Sequence, residues 1–557
     1  MSDKEIMELF LLGATFLYKS WTAYSCYLVC RYFKIRYAFG VLIFFFPLVN
    51  FLVMIFPFYY WIDRLLNGKK YSSKNIKEIE VVDPKNINET ETIHFETERG
   101  KIAVENIYRG IYIQGGAGSG KSKSIIEPII HQSAKNSMAG LLYDFKSPEL
   151  TENVIVNYQK YSEIDTYFVD FKKPSRSSRV NPISPKYLTK SAVAFELSQT
   201  LINNLLPETI KKREYFDREA QSILTGVIWF MRNNYPEYCT IPHIISLFSH
   251  ISMDKILEMV ATDPEAIGMM SSVKQAMNRK ANRLVASVMS TLQNALATLN
   301  NPEVFWILSG EDFTLDLNDP ENPKFMCIGN DSTLSSTYAP VISLIISSAV
   351  RLMNQPGKHR SVVILDEAPT IYIPKFEQIP ATARSNKVAT IYAAQDFGQV
   401  EDQNSKDKAQ VLLSNLGTQI FGRTTNVKTA EMIKSIFSKQ DKTFVTNSEN
   451  KGKSGGLAWQ LGRNKSKGLN ESIQERDRVK VTDIMNLNTG EFYGIVAEGK
   501  PREFLKTKFK ISNQGESTCS FGIKTPKEYF KMNYQRIVDE VLNMTKKDKP
   551  TDNLINF

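Results

Sequence analysis

The residues best suited to chemistry form a glycine-rich loop that ends in lysine and serine. Residues 115–122 read GGAGSGKS, which fills the pattern GxxxxGK[ST], and they follow the short strand-like run Ile111–Gln114. Glycines let backbone N–H groups turn toward a phosphate, and the next helix adds the positive end of its dipole. We expect Lys121 to bind the β and γ phosphates of ATP, and Ser122 to ligate Mg²⁺. The predicted nucleotide-binding residues are Gly115, Gly116, Ala117, Gly118, Ser119, Gly120, Lys121 and Ser122.

An acidic pair follows a second apolar run. Asp366 and Glu367 come directly after Val362–Leu365 in the segment SVVILDEAP. A continuous apolar run of this length is typical of a parallel strand that is buried on both faces. Asp366 can complete the Mg²⁺ shell, and Glu367 can polarise an attacking water. A solvated strand end is the alternative, but the phosphate loop upstream favours an ATPase with Lys121, Asp366 and Glu367 as catalytic residues.

Three further polar residues are placed where they could act on the γ-phosphate. Gln395 ends the strand-like segment VATIYAAQD, where it could sense that phosphate. Arg384 precedes the same segment, and Arg423 follows the apolar run in QIFGRTTN. Either arginine could reach the γ-phosphate of a neighbouring subunit as an arginine finger. A solvated surface residue is the alternative for both, and Arg384 is the preferred candidate.

The elements that must position these residues are strands interleaved with helical stretches. This alternation predicts an α/β fold with a mainly parallel sheet, formed by residues 101–185 and 301–510. The helical stretches carry apolar residues at i, i+3 and i+4, and they predominate over 186–300, which predicts an all-α domain inserted between strands. Beside the runs already quoted, strands are predicted at 140–144, 166–170, 325–329, 418–422 and 491–496.

The parts outside this sheet are predicted from composition. The segment 446–472, rich in Gly, Ser, Asn and Lys, predicts a long mobile loop. Residues 511–557 predict an amphipathic helix followed by a polar tail. The basic run VKQAMNRKANR (273–283) is either a nucleic-acid contact or a solvated helix face.

The composition of the N-terminal region predicts a membrane anchor. No charged residue occurs from Ala38 to Ile62, a run long enough to span a bilayer, and Leu9–Cys30 is a weaker second candidate. We therefore expect residues 1–64 to form one or two transmembrane helices, with a buried core hairpin as the alternative. The polar stalk 65–100 contains lysines that could rest on an anionic membrane. The net charge of +10 fits contact with nucleic acid or anionic lipid without requiring either.

The order of the motifs is more informative than any one motif. After the phosphate loop come KSIIEPII, YDFKSPEL (143–150) and VDFKKPSRSSRVNPI (169–183), then the helical insertion, ILDEAP, ARSNKVATIYAAQD and TTNVKTAEMI. This order resembles the coupling-protein ATPases of type IV secretion and conjugation, the VirD4/TraG/TraD family, over roughly residues 100–510. The more specific points of resemblance are Pro128 in the helix after the loop, Asp144 with Lys146, and Asn181 with Pro182.

The resemblance implies a RecA-like P-loop NTPase that uses ATP and Mg²⁺ and works as a homo-hexamer. It implies a place at the bacterial inner (cytoplasmic) membrane, with the ATPase region in the cytoplasm. The implied partners are single-stranded DNA with its relaxase, secretion-channel ATPases and inner-membrane channel components. By position, Arg384 resembles the arginine finger and Gln395 the coupling glutamine of that family.

Two other functions remain open from the sequence. One is an adaptor that binds nucleotide and recruits substrate without pumping it, and the other is a coupling ATPase for protein effectors. A chromosome-segregation pump or a channel-assembly ATPase is disfavoured, because such motors insert their extra domains differently.

Overall fold

A computed structural model describes residues 89–547, except for 213, 280, 438, 452–464, 512–520 and 523, and a few isolated positions before residue 60. The chain divides into two compact units, residues 1–80 and 81–557, and nearly all of the described residues belong to the second unit. Nearly all of the predicted transmembrane anchor (1–64) and most of the predicted stalk lie outside the described residues.

The described residues form strands in three sheets. The strands are β1 Ile93–Thr97, β2 Gly100–Val104, β3 Ile111–Gln114, β4 Ala139–Asp144, β5 Asp165–Asp170, β6 Lys324–Gly329, β7 Ser361–Leu365, β8 Val388–Ala394, β9 Thr418–Phe421, β10 Lys439–Lys451, β11 Lys465–Asp477, β12 Glu491–Ile495, β13 Gly499–Lys500 and β14 Glu503–Lys508.

The central sheet has nine strands in the order β14-β12-β9-β3-β8-β7-β4-β6-β5. The strands from β9 to β5 run parallel, while β12 pairs antiparallel with both β9 and β14. The prediction of a mainly parallel α/β sheet is therefore confirmed. Because β3 lies between β8 and β9, the carboxyl ends of these three strands meet at one point of the sheet edge.

Helices cover both faces of the sheet and fill the long connection between β5 and β6. Those on the chain before and within this connection are α1 Glu127–Lys135, α2 Glu149–Tyr161, α3 Ser191–Leu205, α4 Glu208–Lys211, α5 Tyr215–Asn234, α6 Ile241–His250, α7 Met253–Val260, α8 Pro264–Met269, α9 Ser271–Asn278, α10 Asn282–Ala297 and α11 Pro302–Leu308. Those after it are α12 Ser335–Met353, α13 Ile379–Ala383, α14 Phe397–Asn404, α15 Lys406–Asn415, α16 Val427–Ile436, α17 Val481–Met485 and α18 Lys527–Lys547.

Two apolar cores lie on the two faces of the sheet, because side chains alternate along each strand. Ile111 and Ile113 of β3 belong to the core beneath α1 and α2, while Tyr112 belongs to the larger core that continues into the inserted helices. Among the described residues, only α12 is long and apolar enough to cross a membrane, and 72% of its most apolar window is buried inside the protein. Such burial is typical of a core helix.

The helix at the end of the described chain completes the inserted helical region. Tyr534 of α18 lies 4.8 Å from Phe305 of α11 between ring centres, and Glu540 Oε2 lies 3.0 Å from His243 Nε2 of α6. The predicted amphipathic helix in 511–557 is confirmed, and its apolar face packs against α6 and α11.

One local prediction differs from the structure, and one helix contains a turn that the sequence did not reveal. The mobile loop predicted over 446–472 is wrong at both ends, because β10 and β11 pair with each other from Lys439↔Asp477 to Lys451↔Lys465. Their backbone groups satisfy one another, which a polar composition does not reveal. Pro128 lies about two turns into a continuous helical stretch that begins at Lys121, where a wide π-type segment over Ser122–Ile126 passes into α1. Proline has no N–H and crowds the preceding turn, so a wide turn accommodates it.

Candidate functional site

The carboxyl ends of β3, β4, β7 and β8 bring all the predicted site residues except Gly115 and Arg384 to one cavity of about 200 Å³. These strands are not consecutive in the chain, so the parallel sheet alone makes their ends neighbours. The cavity lining is Gly116, Ala117, Gly118, Ser119, Gly120, Lys121, Ser122, Lys123, Asp144, Phe145, Lys146, Glu149, Leu150, Asp366, Glu367 and Gln395. Sequence motifs separated by more than 270 residues thus meet at a single surface.

The phosphate loop is held at its start by the two strands that flank β3. Gly115 N donates to Ala394 O at 3.2 Å, and Gly116 N donates to Arg423 O at 2.8 Å. Gly118 and Gly120 have φ of 74° and 94°, a left-handed backbone that favours glycine. The glycines of the motif are therefore required by the turn as well as by the close approach of a phosphate.

A turn that the sequence did not reveal supports the loop from behind. Thr489 Oγ1 donates to Gly118 O at 2.9 Å, and Gly490 N donates to Ser119 O at 2.9 Å. A Cβ atom added at Gly120 would come within 3.0 Å of Gly490 N. Residues immediately before β12 thus fix the loop geometry, and no motif marks them in the sequence.

Lys121 is buried and points across the cavity toward β8 and β7. Its Nζ donates to Ala394 O at 2.9 Å and lies 3.7 Å from Glu367 Oε2. Burial lowers the pKa of Lys121, and the nearby charges of Glu367 and Asp366 oppose that shift. The ammonium is held by one neutral carbonyl and one loosely placed carboxylate, which phosphate oxygens can replace.

Glu367 has a backbone conformation that is unusual for its residue type. It has φ 56° and ψ 50°, and its Oε1 accepts a hydrogen bond from Gln395 N at 3.2 Å. A non-glycine residue in this left-handed region costs about 1–2 kcal/mol, and such strain concentrates at functional sites. The conformation places the carboxylate between Lys121 and Gln395, at the edge of the cavity.

Asp366 and Ser122 provide the oxygen atoms that a hard divalent cation prefers. Asp366 is 8% exposed, and burial raises the pKa of its carboxyl to about 7. Within the described residues no group of three or more His, Cys, Asp or Glu side chains is arranged to hold a metal ion alone. A Mg²⁺ ion that takes most of its ligands from phosphate and water needs only the two protein oxygens present here, so the donor set fits.

The two candidate arginines lie at opposite edges of the sheet. Arg384 precedes β8 and is therefore at the amino edge, where its Nη2 lies 3.4 Å from Glu498 Oε1. Arg423 follows β9 and is beside the phosphate loop, with its side chain exposed. Within one subunit Arg384 does not reach the cavity, so a role in phosphate chemistry would require a neighbouring subunit.

Asp396, directly after Gln395, connects the end of β8 to the segment that follows β9, and no sequence motif marked it. Its Oδ1 accepts from Asn426 Nδ2 at 2.9 Å and from Thr429 Oγ1 at 3.1 Å, while its Oδ2 accepts from Thr424 Oγ1 at 3.1 Å. The same carboxylate caps α14 by accepting from Gly398 N. The available signal was an aspartate just before a helix, together with the TTN segment.

Asp144 and Lys146 were noticed only as points of resemblance, yet both line the cavity. Burial raises the pKa of Asp144 to about 6. Their motif lies at the carboxyl end of β4, the neighbour of β7 in the sheet. The signal for them was the same strand-end position that identified Asp366.

Comparisons with known proteins identify a matching family model and a curated relative. The family model described as "Type IV secretory system Conjugative DNA transfer" matches residues 67–500. Coupling protein TraD of Escherichia coli (strain K12) is 22% identical over 294 residues, which cover 50% of this chain and 39% of TraD. The matched part is therefore well under two thirds of the length of that relative.

Solved structures of the plasmid coupling protein TrwB share the fold. An unbound form of TrwBdeltaN70 has a TM-score of 0.54 at 14% identity and covers 76% of this chain and 90% of that chain. TrwB with ADP and Mg²⁺ has a TM-score of 0.54, and TrwB with a non-hydrolysable ATP analogue has 0.55; each is 14% identical and covers 80% of this chain and 93% of that chain. At this identity the likeness concerns the fold alone.

Proposed function

The chain belongs to the type IV secretory system conjugative DNA transfer family, and from this premise we propose that it is a membrane-anchored P-loop ATPase that drives relaxase-bound single-stranded DNA into a secretion channel. The observation that carries the proposal is the single cavity shared by the phosphate loop, Asp366, Glu367 and Gln395. An inactive remnant of the fold would have no need to keep a strained glutamate beside a buried lysine.

The proposed cofactors are ATP and Mg²⁺. TrwB was crystallised with ADP and Mg²⁺ and with a non-hydrolysable ATP analogue, and the donor set of the present site fits the same ligands. When bound, Mg²⁺ neutralises charge on the phosphate oxygens. Ser122 and Asp366 are the side chains that would hold it. Burial raises the pKa of Asp366 and so favours its protonated form, which must lose the proton before the carboxylate can bind the ion.

The other side chains around the cavity would bind the phosphates, activate water and respond to the γ-phosphate. Lys121 would exchange the carbonyl of Ala394 for the β and γ phosphates and bring its charge to the transferring group. Glu367 would orient a water for in-line attack and accept its proton. Gln395 is bonded to Glu367 through its own backbone N–H, so a change at the γ-phosphate would be passed to β8.

The proposed assembly places the amino edge of one subunit against the cavity of its neighbour. This arrangement in a homo-hexamer would let Arg384 act as an arginine finger in trans, with Arg423 as the second candidate. The charge-free run before residue 64 supports an anchor in the inner membrane, with the ATPase region in the cytoplasm. The proposed partners are the relaxase, secretion-channel ATPases and inner-membrane channel components.

The test is the turnover of ATP by the full chain in liposomes, with and without single-stranded DNA. We expect DNA to stimulate the wild-type protein. Lys121→Ala should bind nucleotide weakly and lose activity by about 10²-fold or more, because the lysine stabilises charge on the transferring phosphate. Glu367→Gln should keep nucleotide affinity and lose about 10²–10⁴-fold in turnover, because it removes a general base.

An exposed glutamate provides a matched control. Glu431 lies on the surface of α16, so Glu431→Gln should turn over ATP like the wild type. Tight nucleotide binding without hydrolysis in the wild type would favour the recruitment adaptor. Stimulation by a protein cargo but not by DNA would favour a coupling ATPase for effectors.

A further inference from the structure

One carboxylate of the cavity is only half paired. Asp144 ends β4 and is fully buried. Its Oδ2 accepts three hydrogen bonds, from Leu150 N at 3.1 Å, from Thr151 N at 2.9 Å and from Thr151 Oγ1 at 2.9 Å. Its Oδ1 is also buried but has no hydrogen-bond partner within the part of the chain that the structure describes. Capping the start of α2 thus uses one oxygen and leaves the other unexplained.

The corresponding residue of the next segment shows what a purely structural aspartate does here. Asp170 ends β5 and is also fully buried. Its Oδ1 accepts from Lys172 N and Lys173 N, and its Oδ2 pairs with Arg176 Nε at 2.6 Å. Both oxygens are satisfied. Since an unpaired buried polar atom costs about 1–3 kcal/mol, the free oxygen of Asp144 indicates a partner outside the polypeptide.

The position of Asp144 identifies the class of that partner. Tyr143 of β4 pairs with Leu365 of β7, and Asp366 N donates to Tyr143 O at 3.0 Å. Asp144 and Asp366 therefore follow one another on adjacent strand ends, and both line the cavity that also contains Ser122. The unpaired oxygen therefore belongs to a residue that borders the predicted cation site, one residue beyond the last pair of β4 with β7.

We propose that Asp144 is a positioning residue for nucleotide-bound Mg²⁺, and that its free oxygen accepts a hydrogen bond from a water ligand of the ion. Mg²⁺ keeps several waters when it binds protein and phosphate, and carboxylates that hold such ligands tune affinity. Asp144 would thus contact the start of α2 through one oxygen and the hydrated Mg²⁺ ion through the other. This inference rests on the proposed function.

The test is equilibrium binding of a fluorescent, non-hydrolysable ATP analogue to the full chain, measured in Mg²⁺ and in EDTA. The quantity to compare is the Mg²⁺ ratio, which is the affinity for the analogue in Mg²⁺ divided by the affinity in EDTA. We expect Asp144→Asn to lower this ratio about 10-fold, as for other outer-shell ligands, with little change in EDTA. Asp144→Ser is measured in parallel, because a serine can still cap α2 but has no free carboxylate oxygen.

The matched control separates this role from helix capping. Thr151→Val removes one donor to Asp144 Oδ2 but keeps the carboxylate, so the unfolding temperature should fall while the Mg²⁺ ratio stays at the wild-type value. An unchanged ratio in the folded Asp144 variants would show that Asp144 is a helix cap only. A wild-type protein that binds no analogue would instead contradict the proposed function, and this inference with it.

Discussion

The two ends of the parallel strands, called here the carboxyl edge and the amino edge of the nine-stranded sheet, differ in how their charged groups are buried and paired. At the carboxyl edge, Lys121, Glu367 and Asp366 are buried and have few partners. At the amino edge, Glu498 Oε1 accepts from Arg109 Nε at 2.6 Å and lies 3.4 Å from Arg384 Nη2. Both arginines there are about two-fifths exposed, at 41% and 43%.

The buried charges at the carboxyl edge lack full pairing within the chain, as expected for a ligand site. The exposed charges at the amino edge are already paired with one another. Burial raises the pKa of Asp366 to about 7, whereas the hydrogen bond from Asn106 and the nearby Arg109 lower the pKa of Glu498. Removing a proton is thus costly at one edge and easy at the other. The carboxyl edge is therefore suited to a cation and phosphate, whereas the charges at the amino edge already pair within the chain.

The sharpest test of this contrast is the pair of arginines at the amino edge. In the assembled protein we expect Arg384→Ala to lower ATP turnover by about 10³-fold or more, the usual effect of losing an arginine finger. Arg109→Ala removes a closer partner of the same Glu498, yet should change turnover little. The measurement is DNA-stimulated ATP hydrolysis in liposomes.

Equal losses in the two variants would contradict the assignment, because they would point to a shared structural role at the amino edge. Full activity of Arg384→Ala combined with an inactive Arg423→Ala would transfer the role to Arg423. Either result would remove the reason for placing the amino edge against a neighbouring cavity.

A second prediction concerns stability at the carboxyl edge. Because the pKa of Asp366 is raised from 3.8 to about 7 in the folded protein, its contribution favours folding at low pH and is lost as the pH rises through 7. Without nucleotide and in EDTA, Asp366→Asn should therefore be more stable than the wild type at pH 8, by up to about 4 kcal/mol. The difference should shrink toward pH 4, as measured by denaturant unfolding.

The opposite outcome is also informative. A variant less stable than the wild type at pH 8 would mean that Asp366 is charged and well paired in the free protein. Glu431→Gln is the control, since the side chain of Glu431 is exposed and the variant should unfold like the wild type.

The sequence predicted the carboxyl edge much better than the amino edge. The phosphate loop, Asp366 and Gln395 each follow a recognisable apolar strand, and parallel strands must end side by side. The contact of Arg384 with Glu498 joins residues 114 apart in the chain, and neither lies in a motif that implies the other. The support of Gly118 by Thr489 is similarly remote, at 371 residues.

Local backbone conformation also could not be predicted from the sequence pattern. A left-handed Glu367 and a π-type turn before Pro128 are set by tertiary packing, while residue type alone argues for ordinary backbone at Glu367. The hairpin of β10 and β11 was predicted as loop because each strand is polar and gains its hydrogen bonds only from the other.

The smallest expected effect is at Glu498, and it has the opposite dependence on pH. Its lowered pKa means that its stabilising contribution is present above the unfolded value of about 4.5 and is lost as the pH falls through the folded pKa. The side chain is 35% exposed, so solvent screens the pairing and Glu498→Gln should cost no more than about 1 kcal/mol at pH 7. Unfolding of the two proteins should converge below pH 4. A cost that persisted in acid would show that Glu498 supports the fold by packing, and the electrostatic contrast between the two edges would then rest on Asp366 alone.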